Sequence, residues 1–295
     1  MTRHRRGFTL AELLISIVVL GVVAGAFTKL LLAQNRFFTH ETNKRFSRTV
    51  ARTATNILIA DLRMVQDNSG VDSATADGKL IRIKVPYRFG LVCGTSGNVT
   101  TVSMLPVDSA TLGMSVYTGF AVRNAAGTYD YTEPANPTTS DIPVTTTNPA
   151  LCTGNGGGQA QIRTVSANGR TGQLLDVRAQ GPSGAMVSAP VFFWQKITYS
   201  FRASIVYPNR LALWRNVQGA PNGAEELMAP FDTSARFKFY TSGSEGSTTA
   251  VPALLSDIRG LDVVLPGLSP NGTTRDSVSK STIVTSVFFK NVRTF

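Results

Sequence analysis

The 295-residue chain is poor in the side chains that carry most enzyme chemistry. It has two histidines, His4 and His40, so a Ser-His-Asp triad, a Cys-His pair or a His-rich metal site is excluded from everything after position 40. It has two cysteines, Cys93 and Cys152, too few for a four-cysteine zinc site. Charged residues make up only 16%, against a typical ~25%, which excludes a charge-driven disordered chain. With 26 glycines and 14 prolines, a collagen-like reading fails as well.

Acids are scarcer than bases, 18 against 29, and the formal charge is +11. The excess is not spread evenly. Residues 1–63 hold ten Lys/Arg but only Glu12, Glu41 and Asp61 as acids. Residues 64–295 are only mildly basic, so a high isoelectric point does not here mark a nucleic-acid binder.

The basic start, Arg3, Arg5 and Arg6, precedes an apolar run from Phe8 to about Leu32 whose only charged residues are Glu12 and Lys29. At about 1.5 Å per residue this run is long enough for a ~30 Å hydrocarbon layer. It exceeds the ~7–15 residues of a secretory h-region, so a spanning helix is expected over residues 8–32. No Gly or Pro occurs from 26 to 69. Phe46, Val50, Ala54, Ile57, Leu58, Leu62 and Val65 recur at three- and four-residue steps, with Lys44, Arg45, Arg48, Arg52, Asn56 and Arg63 on the opposite face. One helix is therefore expected from Phe8 to about Asn68, amphipathic over residues 33–68.

Strands are expected in the remainder, residues 69–295. Lys79–Val85 alternates, and so does Tyr199–Tyr207, with Ile205 on the apolar side. Pro208-Asn209 reads as the turn of a hairpin returning along Leu211–Val217. Val116–Arg123, Val191–Ile197, Arg236–Thr241, Leu261–Leu265 and Ile283–Lys290 are further candidates, and Thr138–Gln161 reads as a loop. The expected fold is α+β, one long helix whose apolar stripe packs on an antiparallel sheet.

Glu12 is the strongest local signal, because a carboxylate inside a membrane helix costs about 2.5–3.5 kcal/mol on insertion scales. A simpler role is electrostatic capping of the helix start. The whole segment Arg5-Arg6-Gly7-Phe8-Thr9-Leu10-Ala11-Glu12 resembles the type IV prepilin signature. That resemblance implies a leader of residues 1–7, cleavage between Gly7 and Phe8 by a prepilin peptidase at the cytoplasmic face, and N-methylation of Phe8. It implies an inner-membrane protein with its N-terminus cytoplasmic and its sheet domain periplasmic. Its partners would be other pilin-like subunits, met through the helix, with Glu12 facing the new α-ammonium. Ile197–Val217 and Leu254–Leu265 resemble the minor subunits of the J-type pseudopilin and W-type pilin group. The function so implied is structural, a minor subunit of a type IV pilus or type II secretion pseudopilus. The alternatives are a DNA-capturing minor pilin and a membrane-anchored enzyme, and neither the charge distribution nor the histidines favour them.

Other residues carry less. Gly21 and Gly25 form a G-x-x-x-G that would let another helix approach closely, a pattern also common by chance. Cys93 and Cys152 are either two unrelated thiols or a disulfide, which export to an oxidising compartment would favour. Asp72, Asp77, Asp130 and Glu133 could ligate calcium but match no EF-hand loop, and read better as solvated loop acids. Phe192, Phe193, Trp194, Tyr199, Phe201, Tyr207 and Trp214, on alternating strands, are expected in the core. No metal or cofactor is expected.

Overall fold

The computed structural model describes residues 9–66, 70–96, 99–104, 108, 116–123, 129–133, 138–142, 174–178, 189–270 and 278–289. Its first element is α1, Leu10–Leu62, 53 residues and so roughly 80 Å long. Thr9 is the N-cap and Glu12 closes a capping box with it. The helix ends earlier than its apolar period suggests. Met64 N–H donates to Asp61 O and Val65 N–H to Leu62 O, a tightened last turn. Gly70 then comes back against Val65 and Gln66 so closely that a Cβ there would collide with the Gln66 carbonyl. The stripe residue Val65 is fully buried, but from this turn and not from the helix.

Thirteen strands follow among the described residues. In chain order they are β1 (Val71–Ala74), β2 (Leu80–Ser96), β3 (Val99–Met104), β4 (Gly119–Arg123), β5 (Tyr129–Thr132), β6 (Thr138–Ile142) and β7 (Leu174–Arg178). Then come β8 (Pro190–Ala203), β9 (Leu211–Val217), β10 (Ala224–Phe231), β11 (Arg236–Thr241), β12 (Ile258–Leu268) and β13 (Lys280–Phe288). Every pairing between them is antiparallel. The sheet runs β11-β12-β10-β9-β8-β2-β3-β7-β6, with β13 on the other side of β12, β1 on β2, and the β4–β5 hairpin on β8.

The long β2–β8 ribbon, from Leu80↔Ser200 to Leu91↔Pro190, runs through two packed regions and contributes to both. In the first, Ser47, Val50, Ala51, Ala54, Leu58 and Leu62 of α1 are buried, and their apolar members pack with Ile81, Ile83, Ile197, Tyr199, Phe201, Phe237, Leu261 and Leu265. Fully burying a Leu such as Leu58 or Leu62 is worth about 1.5–3 kcal/mol, so this stripe fixes the second half of the helix to the sheet. The second cluster lies away from the helix, around Val92, Val102, Phe120, Val122, Val191 and Phe193. The expected α+β arrangement is therefore present, with a second core that the periodicity did not show.

Several local expectations need correction. Val191–Ile197 and Tyr199–Tyr207 are parts of one strand, β8, which stops at Ala203. Ile205 is not core but 78% exposed, because Glu226 takes the Ile205 N–H at 2.7 Å and turns the chain outward. β2 continues eleven residues past Val85, and Thr138–Ile142, expected in a loop, pairs as β6 with β7. Residues 143–161 of that expected loop lie outside the described residues. The Leu211–Val217 return strand has the expected bounds.

Candidate membrane and assembly helix

At the helix start, Thr9 N–H donates to Glu12 Oε2 at 2.9 Å and Thr9 Oγ1–H to the same oxygen at 3.0 Å. Glu12 N–H donates back to Thr9 Oγ1 at 3.3 Å. Both bonds to the carboxylate fall on Oε2, so Oε1 is left for a further donor. The Thr-x-x-Glu pattern that makes this box is legible in the sequence, although Thr9 was not among the expected site residues.

Above the cap, every residue from Leu10 to Phe38 is exposed. This half includes a stretch long and apolar enough to cross a membrane, and none of that stretch is buried inside the chain. Its hydroxyls are satisfied within the helix: Ser16 Oγ donates to Glu12 O at 2.7 Å and Thr28 Oγ1 to Ala24 O at 2.8 Å. Such internal bonds suit an apolar solvent, where an unpaired polar group costs several kcal/mol. At Gly21 and Gly25, apart from the helix's own adjoining backbone, nothing among the described residues lies within 4 Å of where a Cβ would stand, so that face is open.

The other half of α1 is held by polar contacts as well as by its stripe. Tyr199 Oη in β8 donates to Asp61 Oδ2 at 2.6 Å, and Arg215 Nε in β9 lies 3.8 Å from the same oxygen. Burial, and then the Asp61 charge, pushes the Tyr199 hydroxyl above its usual range, so it stays protonated and donating. Farther down the helix, β12 approaches at Gly267, beneath the Ser47 carbonyl and Ala51.

The acidic candidates separate. Asp72 is half-buried in β1 and not a loop acid, whereas Glu133 is an exposed loop acid just past β5; both meet Lys196 Nζ, at 3.3 Å from Asp72 Oδ1 and 2.7 Å from Glu133 Oε2. Arg82 adds a contact of 3.6 Å to Asp72. Lys84, the cross-strand neighbour of Lys196, sits over the rings of Tyr131 and Trp194 at 4.8 and 5.4 Å. Burial pushes the Lys84 ammonium below its usual range, against the pull of Asp72 and Glu133. Two carboxylates thus neutralise a facing lysine pair, so they are ion-pair partners here. Asp77 instead closes a turn, accepting from Thr75 Oγ1 at 2.6 Å and Lys79 N–H at 3.0 Å, and Asp130 lies exposed on β5. Among the described residues no three His, Cys, Asp or Glu side chains converge on a possible metal position.

Phe193, Trp194, Tyr199, Phe201 and Trp214 are buried as expected, while Phe192 and Tyr207 are half-exposed. Cys93 lies in β2. Its side chain and all of Cys152 fall outside the described residues, as do Gly7 and Phe8.

No curated protein and no solved structure matches the chain. Residues 2–28 match the family described as the prokaryotic N-terminal methylation motif. The start of the chain therefore carries a prepilin-type signature, on a helix that can cross a membrane, and this fits a type IV pilin-like protein.

Proposed function

We propose that the chain is a minor structural subunit of a type IV pilus or a type II secretion pseudopilus. The observation that carries this is the split character of α1. Leu10–Phe38 presents an apolar surface with no partner among the described residues, while residues 47–62 are fastened to the sheet on the same unbroken helix. Such a helix suits both a membrane and a bundle of like helices. The methylation motif over residues 2–28 supports the second use.

On this reading a prepilin peptidase removes residues 1–7 at the cytoplasmic face and Phe8 becomes the N-methylated first residue. The sheet domain lies in the periplasm, on the far side of the inner membrane, where Cys93 and Cys152 would be oxidised to a disulfide. Glu12 offers its free Oε1 to the α-ammonium of a neighbouring subunit, and Gly21 and Gly25 allow that subunit's helix to approach. The stretches Ile197–Val217 and Leu254–Leu265 favour the W/J-type minor group.

The test is the intact mass and N-terminal sequence of the protein from its native membranes. The expected mature chain begins at a methylated Phe8 and has lost Arg3, Arg5 and Arg6. Retention of Met1 in cells with active prepilin peptidase would overturn the reading.

A further inference from the structure

Arg36, His40, Lys44, Arg48 and Arg52 recur at every fourth position of α1, with Arg45 beside them. Residues four apart are neighbours on a helix surface, so these form one ridge, inclined about 26° to the axis. It is roughly 24 Å long at 1.5 Å per residue. All are exposed except the half-buried Lys44. Among the described residues no carboxylate lies within ion-pairing distance of Arg36, Lys44, Arg45, Arg48 or Arg52. Like charges four apart destabilise a helix. No ion pair among the described residues therefore fastens the ridge to the rest of the fold.

We propose that this ridge docks an acidic helix of a different subunit. The inference rests on the filament-subunit reading, which sets helices side by side. A second copy is a poor occupant. Between residues 33 and 62 its helix offers only Glu41 and Asp61, and Asp61 is committed to Tyr199 and Arg215. Two copies in parallel would bring cation rows together. Anionic lipid is a poor occupant too. Arg52 lies 14 residues beyond Phe38, roughly 21 Å along the axis, whereas headgroup attraction fades within a Debye length of about 8 Å. Lipid could reach Arg36 but not Arg48 or Arg52. What fits the whole ridge is a near-parallel helix with Asp or Glu at three-residue steps, a row that meets a four-residue row at a crossing of about 20°.

Asn56 is the exposed next position in the row, and a photo-crosslinking residue placed there in the full-length chain reports the occupant in native membranes. The expected adduct joins another chain through a helical peptide bearing acids at three-residue steps. R48E/R52E should lower its yield at least tenfold, R48K/R52K should keep it, and acid-to-Lys changes in the partner peptide should restore it with R48E/R52E. Adducts to a second copy, to lipid or to nucleic acid would overturn the proposal. So would no adduct, a yield unchanged by R48E/R52E, or loss with R48K/R52K. Intact mass on the same samples separates the two readings. A chain still starting at Met1 overturns the subunit reading, whereas one starting at Phe8 with any of those results overturns the ridge alone.

Discussion

Tyr199 Oη and Asp61 Oδ2 meet at 2.6 Å, joining the last turn of the helix to the middle strand of the sheet. Tyr199 is fully buried and Asp61 keeps Arg215 at 3.8 Å. Tyr199→Phe is expected to cost about 1.5 kcal/mol, the lower range for a hydrogen bond to a charged group. Asp61→Ala should cost more, because it leaves a buried hydroxyl unsatisfied, and the double variant should cost less than the sum. Thermal unfolding in detergent of the two single variants and the pair measures this. Strict additivity would show that the contact does not join helix to sheet.

Gly267 is the close approach between β12 and α1. A Cβ added there would fall inside contact distance of the Ser47 carbonyl oxygen and 3.3 Å from Ala51 Cβ. Gly267→Ala should destabilise by about 1–3 kcal/mol, the usual cost of overpacking. Ala51→Gly should not rescue it, because the clash is with main chain. Rescue by Ala51→Gly in the same unfolding assay would place the strain elsewhere.

Asp232 sets an acid limit on the corner between β10 and β11. Its Oδ1 accepts from Ser234 Oγ at 2.6 Å and Ser234 N–H at 2.9 Å, with Lys280 Nζ at 3.1 Å. The Ser234 hydroxyl foremost, with the Ser234 amide and Lys280 adding, holds its carboxyl at about 2. A depressed folded value means the stabilisation is complete above the unfolded value of about 3.9 and is lost as pH falls through about 2. Asp232→Asn should therefore lower the melting temperature at pH 7, with the difference shrinking between pH 4 and pH 2. A pH-independent difference would mean that the Asp232 charge contributes nothing.

The helix was legible because its evidence is local. The break-free stretch, the three- and four-residue apolar steps and Thr9-x-x-Glu12 each lie within a few residues. Its end is not legible locally, because Val65 keeps the period while the chain already turns toward Gly70. Ile205 failed for the opposite reason. Alternation continued past Ala203, but a carboxylate from Glu226, on another strand, ended the strand there. The run of β2 past Val85 is hidden in the sequence because Pro86 and a register shift before Arg88 break its pattern, although its pairing with β8 resumes. The Lys196 pairs with Asp72 and Glu133 join residues far apart in sequence, and no local signal places them together.

The most direct test of the assembly role is Glu12→Gln. Gln can still close the capping box with Thr9, so the helix start is preserved and only the charge is lost. Membrane insertion should be unimpaired, since removing a carboxylate lowers its cost. Cleavage before Phe8 should persist, because that depends on the leader and Gly7. If Glu12 neutralises the α-ammonium of Phe8, Gln leaves that charge buried and unpaired, worth on the order of 3–5 kcal/mol where water is excluded. Glu12→Asp should fall between. The measurement is the amount of the variant in sheared filaments or in complexes purified with its sibling subunits. A strong loss relative to wild type, at equal membrane content, is the expected result. Incorporation at the wild-type level would contradict the assembly role and leave Glu12 as a capping residue alone.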